Sequence, residues 1–310
     1  MTASSDFLAP APGQPLRRAL MRGVLRFLFR GRVCPPTPIA RQRQLVERLT
    51  RTPAPRGVRV ETRPLAGRPC EWLVPESSRG LLLYLHGGAY VLGSPATHRG
   101  LCASLARRAR MAVCVLDYRL APEHPYPAAR EDAVAAYRAL LELGHRPQEI
   151  VIAGDSAGGN LCLSSVLALK EQGLPLPAAL VCLSPWADLS GTRMHQPPAG
   201  DPMLHPDWLR QAVELFCPPG MDRCDPGLSP LYGKLAGLPP LLIQVGEDEL
   251  LLNDSLRLAE RARAAGVAVR LERYPGLWHV FQANVGRLAA ADQAVARIIA
   301  FIHEQQEQRV

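Results

Sequence analysis

From about residue 57 onward the apolar positions of this chain follow two alternating rhythms. Short, nearly continuous apolar runs, "GLLLYLH", "MAVCVLDY", "EIVIAG", "AALVCLSP" and "PPLLIQVG", are separated by longer stretches in which apolar residues recur every three or four positions. "GLCASLARRAR", "PAAREDAVAAYRALLEL", "AGGNLCLSSVLALKEQ" and "SLRLAERARAAG" are such stretches. A run apolar on both faces predicts a buried strand, and the longer rhythm predicts an amphipathic helix. "GVRVET" and "CEWLVP" add two short strands ahead of the series, and "VAVRLERY" with a helix over about 288–305 closes it. This succession predicts an α/β fold: a mostly parallel central sheet of about eight strands with helices on both faces.

Two segments fall outside the alternation: residues 1–55, and 188–225, which carry helix-like apolar positions broken by Pro and Gly. Insertions of this kind in open α/β sheets sit over the carboxyl ends of the strands, where ligands bind. The expected organisation is therefore an N-terminal part of a cap (1–55), a first core part (56–187), a cap insertion (188–225) and a second core part (226–310). Within the first segment "LRRALMRGVLRFLFRGR", Leu16–Arg32, alternates Arg and apolar residues at helical spacing. Arg22 and Arg26 interrupt what an export signal would keep apolar. An amphipathic helix packed on the protein is expected in preference to one lying on a lipid surface.

Composition adds less. The chain has 310 residues, 47% hydrophobic and 21% charged, which suits one large globular domain. The net charge of +8 comes mostly from Arg scattered over helix-like segments without aromatic interleaving. Nucleic acid is therefore not an expected partner, and neither is a membrane. No run reaches the length of a membrane-crossing helix. The eight cysteines form no C-x-x-C pair. They are read as reduced thiols of a cytoplasmic protein, with a Cys217–Cys224 pairing left open.

The chemistry begins at "VIAGDSAGGN". In Gly154-Asp155-Ser156-Ala157-Gly158 a serine stands where a strand must reverse sharply into a helix, and glycine two before and two after it removes the Cβ atoms such a turn would crush. The turn presents the hydroxyl above the sheet and aims helix N-terminal amides toward it. "YLHGGAYVLGS" also follows an apolar strand. Its consecutive glycines let backbone N–H groups converge, so the amides of Gly88 and Ala89, with that of Ala157, are candidates for an oxyanion hole. A serine needs a base and the base a carboxylate. His279 in "YPGLWHVFQ" lies between the last strand and the last helix, at the edge that holds the serine, whereas His303 lies in the terminal helix. The acid should leave another strand at that edge. "LLIQVGEDELLLNDS" offers Asp248 with Glu247, Glu249 and Asp254 as neighbours, and Asp188 is an outside candidate.

Together His86-Gly87-Gly88-Ala89, Gly154-Asp155-Ser156-Ala157-Gly158, Gly246-Glu247-Asp248-Glu249-Leu250 and His279 resemble the hormone-sensitive lipase family of α/β-hydrolases, in its bacterial esterase branch. "DYRLAPEHPYPAAREDA" and "SPWADLS" resemble further segments of that family, and the likeness spans about residues 57–305. The resemblance implies Ser156 as nucleophile, Asp248 as acid and His279 as base, with Gly88, Ala89 and Ala157 as the oxyanion hole. His86 and Gly87 become structural support of that loop. It also implies hydrolysis of short- to medium-chain esters through an acyl-enzyme, without metal or cofactor, and suggests a homodimer. Lactone or aryl-amide hydrolysis, or a non-catalytic ligand-binding member of the fold, are the alternatives. Ala89 replaces the family's third glycine, and its Cβ narrows the allowed backbone angles. Tyr90, Met203, Leu204, Trp208 and Phe216 are candidates for an apolar substrate pocket, or equally for cap core.

Overall fold

The computed structural model describes residues 5–52 and 56–307. The runs read as strands pair into one nine-stranded sheet in which most neighbours are parallel. In chain order the strands are β1 (Ser5–Leu8), β2 (Val58–Thr62), β3 (Cys70–Pro75), β4 (Leu81–Leu85), β5 (Ala112–Leu116), β6 (Ile150–Asp155), β7 (Ala179–Leu183), β8 (Leu241–Gly246) and β9 (Val269–Tyr274). Their spatial order is β1-β9-β8-β7-β6-β4-β5-β3-β2, with β3 antiparallel to both of its neighbours. The strand beyond the expected eight is β1, from the segment assigned to the cap. Four residues with polar Ser5 and Asp6 carry no apolar-run signal, yet they add a parallel edge to β9. The expected boundary between 55 and 56 adjoins residues 53–55, outside the described residues.

The inner strands β4, β6, β7 and β8 are buried at every position. This is why their sequences show continuous apolar runs and no alternation. Helices α3 (Pro95–Ala109) and α8 (Ala289–Glu307) pack with the sheet positions that include Leu82, Tyr84, Val113 and Val151. Helices α4 (Ala128–Glu142), α5 (Ala157–Glu171) and α7 (Leu252–Ala264) pack with those that include Leu83, Ile152 and Ile243. The chain runs from β4 to β5 on one side and returns to β6 on the other. The loops leaving β4 and β6 therefore meet at the switch point where open α/β sheets bind ligands.

Above that edge lie α1 (Pro15–Gly31), α2 (Ile39–Thr50) and α6 (Pro206–Phe216). The two segments set apart in the sequence touch each other. Gln42 of α2, fully buried, accepts at 2.9 Å from Trp208 Nε1 of α6, and Arg22 of α1 donates to the carbonyls of Ala199 and Gly200. Helix α2 packs Ile39, Leu45 and Val46 against the core around the buried Gln42. All eight cysteines are free, so Cys217 and Cys224 are not paired.

Candidate active site

Ser156 follows β6 directly and has φ 54° and ψ −120°, a strained backbone for a residue with a Cβ. The turn is held at both carbonyl and amide: Ser156 N donates to Leu183 O at 2.8 Å, and Ser156 O accepts from Trp186 N at 3.0 Å. The flanking glycines do what the sequence required of them. A Cβ on Gly154 would stand 2.5 Å from Gly158 O, and one on Gly158 would strike the carbonyl of Leu85. The elbow thus rests on the end of β4, where Leu85 and Gly154 are register partners.

The loop after β4 is fixed by the residue preceding the serine. Asp155, buried, accepts from Tyr84 Oη at 2.7 Å and from Gly87 N at 3.1 Å. His98 Nε2 stands 3.3 Å from the same carboxylate oxygen. Burial alone would push the His98 pKa down, but the Asp155 charge and hydrogen bond outweigh it and the pKa is raised. Burial likewise pushes the Asp155 pKa up, and the charge and hydrogen bond of His98 overturn it, so Asp155 is lowered. Both shifts favour an ion pair beneath the loop. Sequence reasoning gave neither Asp155 nor His98 a role; the carboxylate inside the Gly-x-Ser-x-Gly string was the available signal.

His86 stacks on Tyr118 with ring centroids 4.2 Å apart, and its Nδ1 lies 2.8 Å from Gly87 O. Burial, with the nearby His98 adding to it, drives its pKa down to about 3, so the ring is neutral. Gly88 (φ 120°), Ala89 (φ 53°) and Tyr90 (φ 63°) follow in the left-handed region. Ala89 takes up a conformation that a glycine would adopt more cheaply. Among the described residues no hydrogen bond is made to the amide of Gly88 or Ala89.

At the opposite side of the edge His279 is buried, and its Nδ1 lies 3.1 Å from Glu249 Oε1. The other oxygen of Glu249 accepts from Ser184 Oγ at 2.7 Å and from Gly246 N at 3.1 Å. Ser184 Oγ in turn accepts from Val280 N at 3.2 Å. Burial opposes protonation of His279, yet the Glu249 charge and hydrogen bond prevail and its pKa is raised. Leu183 holds the serine amide and Ser184 holds both Glu249 and Val280, so one stretch after β7 ties the elbow to the histidine loop.

The carboxylate on His279 is thus that of Glu249, and the expectation of Asp248 is corrected. Asp248 N is bonded to Leu277 O at 2.8 Å, and its side chain turns outward to Arg22 Nη1 at 2.7 Å. The other acids are also engaged elsewhere: Glu247 pairs with Arg273, Asp188 pairs with Arg257, and Asp254 accepts from Asp188 N. The pocket candidates pack as core. Tyr90 and Phe216 stack at 3.8 Å, and Tyr90 Oη donates to Asn160 at 2.7 Å. Leu204 and Trp208 are buried with them, and Met203 is half-buried against Trp278 and its neighbours.

A serine on a sharp strand-to-helix turn, a glycine-rich loop beside it and a carboxylate-held histidine across the same sheet edge define an α/β-hydrolase. The family model described as alpha/beta hydrolase fold matches residues 82–283. The chain is 48% identical over 214 residues to an acetyl-hydrolase of Streptomyces hygroscopicus, covering 68% of this chain and 71% of that one. It is 41% identical over 254 residues to an esterase of Acinetobacter venetianus, covering 80% and 83%. The crystal structure of a hormone-sensitive lipase from a metagenome library superposes with a TM-score of 0.89 at 40% identity, covering 96% of this chain and all of that one. The chain belongs to the hormone-sensitive lipase family of α/β-hydrolases, in its bacterial esterase branch.

Proposed function

We infer that this chain is a carboxylic ester hydrolase that works through an acyl-enzyme on Ser156, with His279 as base and Glu249 as the acid behind it. The observation that carries the reading is the 3.1 Å contact of His279 Nδ1 with the buried Glu249. Nδ1 facing a carboxylate keeps its proton there and leaves Nε2 bare, the tautomer a general base requires. His279 takes the proton of Ser156 as Oγ attacks the ester carbonyl, and the negative oxygen forms against the amides of Gly88, Ala89 and Ala157. The tetrahedral species collapses as His279 hands the proton to the leaving alcohol. Water, deprotonated by the same ring, then attacks the acyl group, and the acid leaves with the serine restored.

The residues 188–225 and the N-terminal helices form the cap of this site in our reading. Short acyl groups fit best: the relatives include an acetyl-hydrolase, and Tyr90, Phe216 and Trp208 are packed into the core. The test is a hydrolysis profile over nitrophenyl esters of two to twelve acyl carbons, run beside Ser156→Ala. Turnover should peak at the short end and fall by at least about a thousandfold in the variant. Unchanged turnover without the hydroxyl would end the assignment, and a maximum at long chains would end the substrate class.

A further inference from the structure

The positive charge of this chain is not spread as its composition suggests. Residues 7–46 hold eight arginines and no Asp or Glu. The other 28 basic residues equal the 28 acidic ones, so the whole net charge of +8 resides in this one segment. Most of the segment is α1 and α2, both over the carboxyl edge of the sheet. Helix α1 turns Met21 and Leu25 toward the protein, where they pack against the cluster around Trp278. Its opposite face is bare: Leu16, Leu20, Val24 and Phe27 are 87%, 69%, 49% and 62% exposed. Spacings of four, four and three residues put these four on one stripe. Arg17 and Arg26 flank the stripe, and the Arg32 guanidinium sits 5.1 Å from the Phe27 ring centroid. Among the described residues no carboxylate pairs with Arg17, Arg26, Arg30 or Arg32.

We propose that the outer face of α1 docks on an anionic lipid surface, lying in its plane with the apolar stripe inserted and the arginines on the headgroups. An exposed apolar stripe bordered by uncompensated cations is the pattern of an interfacial helix. The charge also selects against the other occupant: two copies joined through this face would bring arginine against arginine with no acid to relieve them. The docked helix would set the cap against the lipid, since Arg22 on its inner side holds Asp248 and the carbonyls of Ala199 and Gly200. The proposal does not depend on the hydrolytic reading.

The test is sedimentation of the full chain with phosphatidylcholine vesicles, with and without about a third phosphatidylglycerol, at low and at half-molar salt. Two variants dissect the face: Leu20→Glu with Phe27→Glu, and Arg26→Glu with Arg32→Glu. Binding should require the anionic lipid, weaken at least about tenfold in high salt, and weaken at least about tenfold in each variant, at about fivefold per surface arginine. Both variants should melt like the parent by circular dichroism, which shows that they fold; should one not fold, the other decides. Absence of binding to anionic vesicles, equal binding to neutral ones, or variants that bind as the parent would each overturn the proposal. So would a dimer in size-exclusion chromatography that both variants abolish while vesicles bind nothing.

Discussion

Replacing Glu249 by Gln tests which carboxylate serves the histidine. The substitution keeps shape and size, and the surroundings dictate how the amide turns. Ser184 Oγ and Gly246 N both donate to one side of the group, so the amide oxygen must stay there and its NH2 must face His279 Nδ1. The ring is then forced to accept at Nδ1 and to carry its proton on Nε2, where it cannot receive one from Ser156. The imidazolium formed during attack also loses its counter-charge. At about 4 Å between charge centres and an effective dielectric of about 20, that attraction is worth about 4 kcal/mol, or about three decades in rate. The wrong tautomer brings the expected loss to between about a thousandfold and ten-thousandfold in kcat. Asp248→Asn is the control, because it removes only the pairing with Arg22, whose side chain and that of Asp248 are each about a fifth exposed. Such a pair contributes about 1 kcal/mol or less, so kcat should stay within about threefold. Both variants are assayed on nitrophenyl acetate, with thermal melts to establish folding. If Asp248→Asn lost the activity and Glu249→Gln kept it within tenfold, the reading of this site would be wrong.

Two further outcomes follow from the charge pattern. The pKa of His279 is raised by Glu249, and the ring must be neutral to accept the serine proton. Hydrolysis by the parent enzyme should therefore climb with pH through a midpoint above the ordinary histidine value, and the residual activity of Glu249→Gln should have its midpoint at lower pH; a stopped series of kcat/KM against pH reads both. The His98–Asp155 pair should stabilise the fold over a bounded window. Asp155 is lowered, so its share is present above the usual Asp value and is lost as pH falls through the folded pKa; His98 is raised, so its share is present below the usual His value and fades as pH rises through the folded one. Melting of His98→Asn should thus lag the parent most near pH 5–6 and least near pH 9, and a constant lag would dismiss the ion pair.

How much of this was legible in the sequence varied with what fixed each feature. The elbow was legible because its constraint is local. Gly154 faces the backbone of Gly158 across a turn four residues long, Gly158 faces the end of β4, and strand and helix on either side announce themselves by period. His279 was legible by its place between β9 and α8. The acid was not, although its neighbourhood was. Between Glu247 and Glu249 the side chains change direction at each residue, and which one turns inward is settled by Glu247 N and Asp248 N bonding to carbonyls of Tyr274 and Leu277. Those partners lie some thirty residues on, where periodicity has no reach, and the resemblance pointed to Asp248, the neighbour of the residue that faces His279. Strand β1 and helix α2 were illegible for a related reason: one is a short polar edge, and the other buries a glutamine held by Trp208 and by the carbonyl of Thr37.

The same non-local bonding accounts for an arrangement that would otherwise oppose the proposed chemistry. A buried carboxylate, Asp155, stands next to a serine at which negative charge is to develop, and unpaired it would raise the cost of that charge. It accepts from Tyr84 Oη and Gly87 N, and its charge is met by His98 at 3.3 Å. The same bonds turn Gly87 N inward, so that of three successive amides after His86 only those of Gly88 and Ala89 remain for an oxyanion. The neutral His86 ring, stacked on Tyr118 and bonded to Gly87, then holds the loop without adding a charge that would shift with pH. Elbow and oxyanion loop are in this sense one unit. On the proposed mechanism the residue before the nucleophile fixes the loop that is to receive the negative oxygen, which gives a physical reason for an acid at the second position of Gly-x-Ser-x-Gly here.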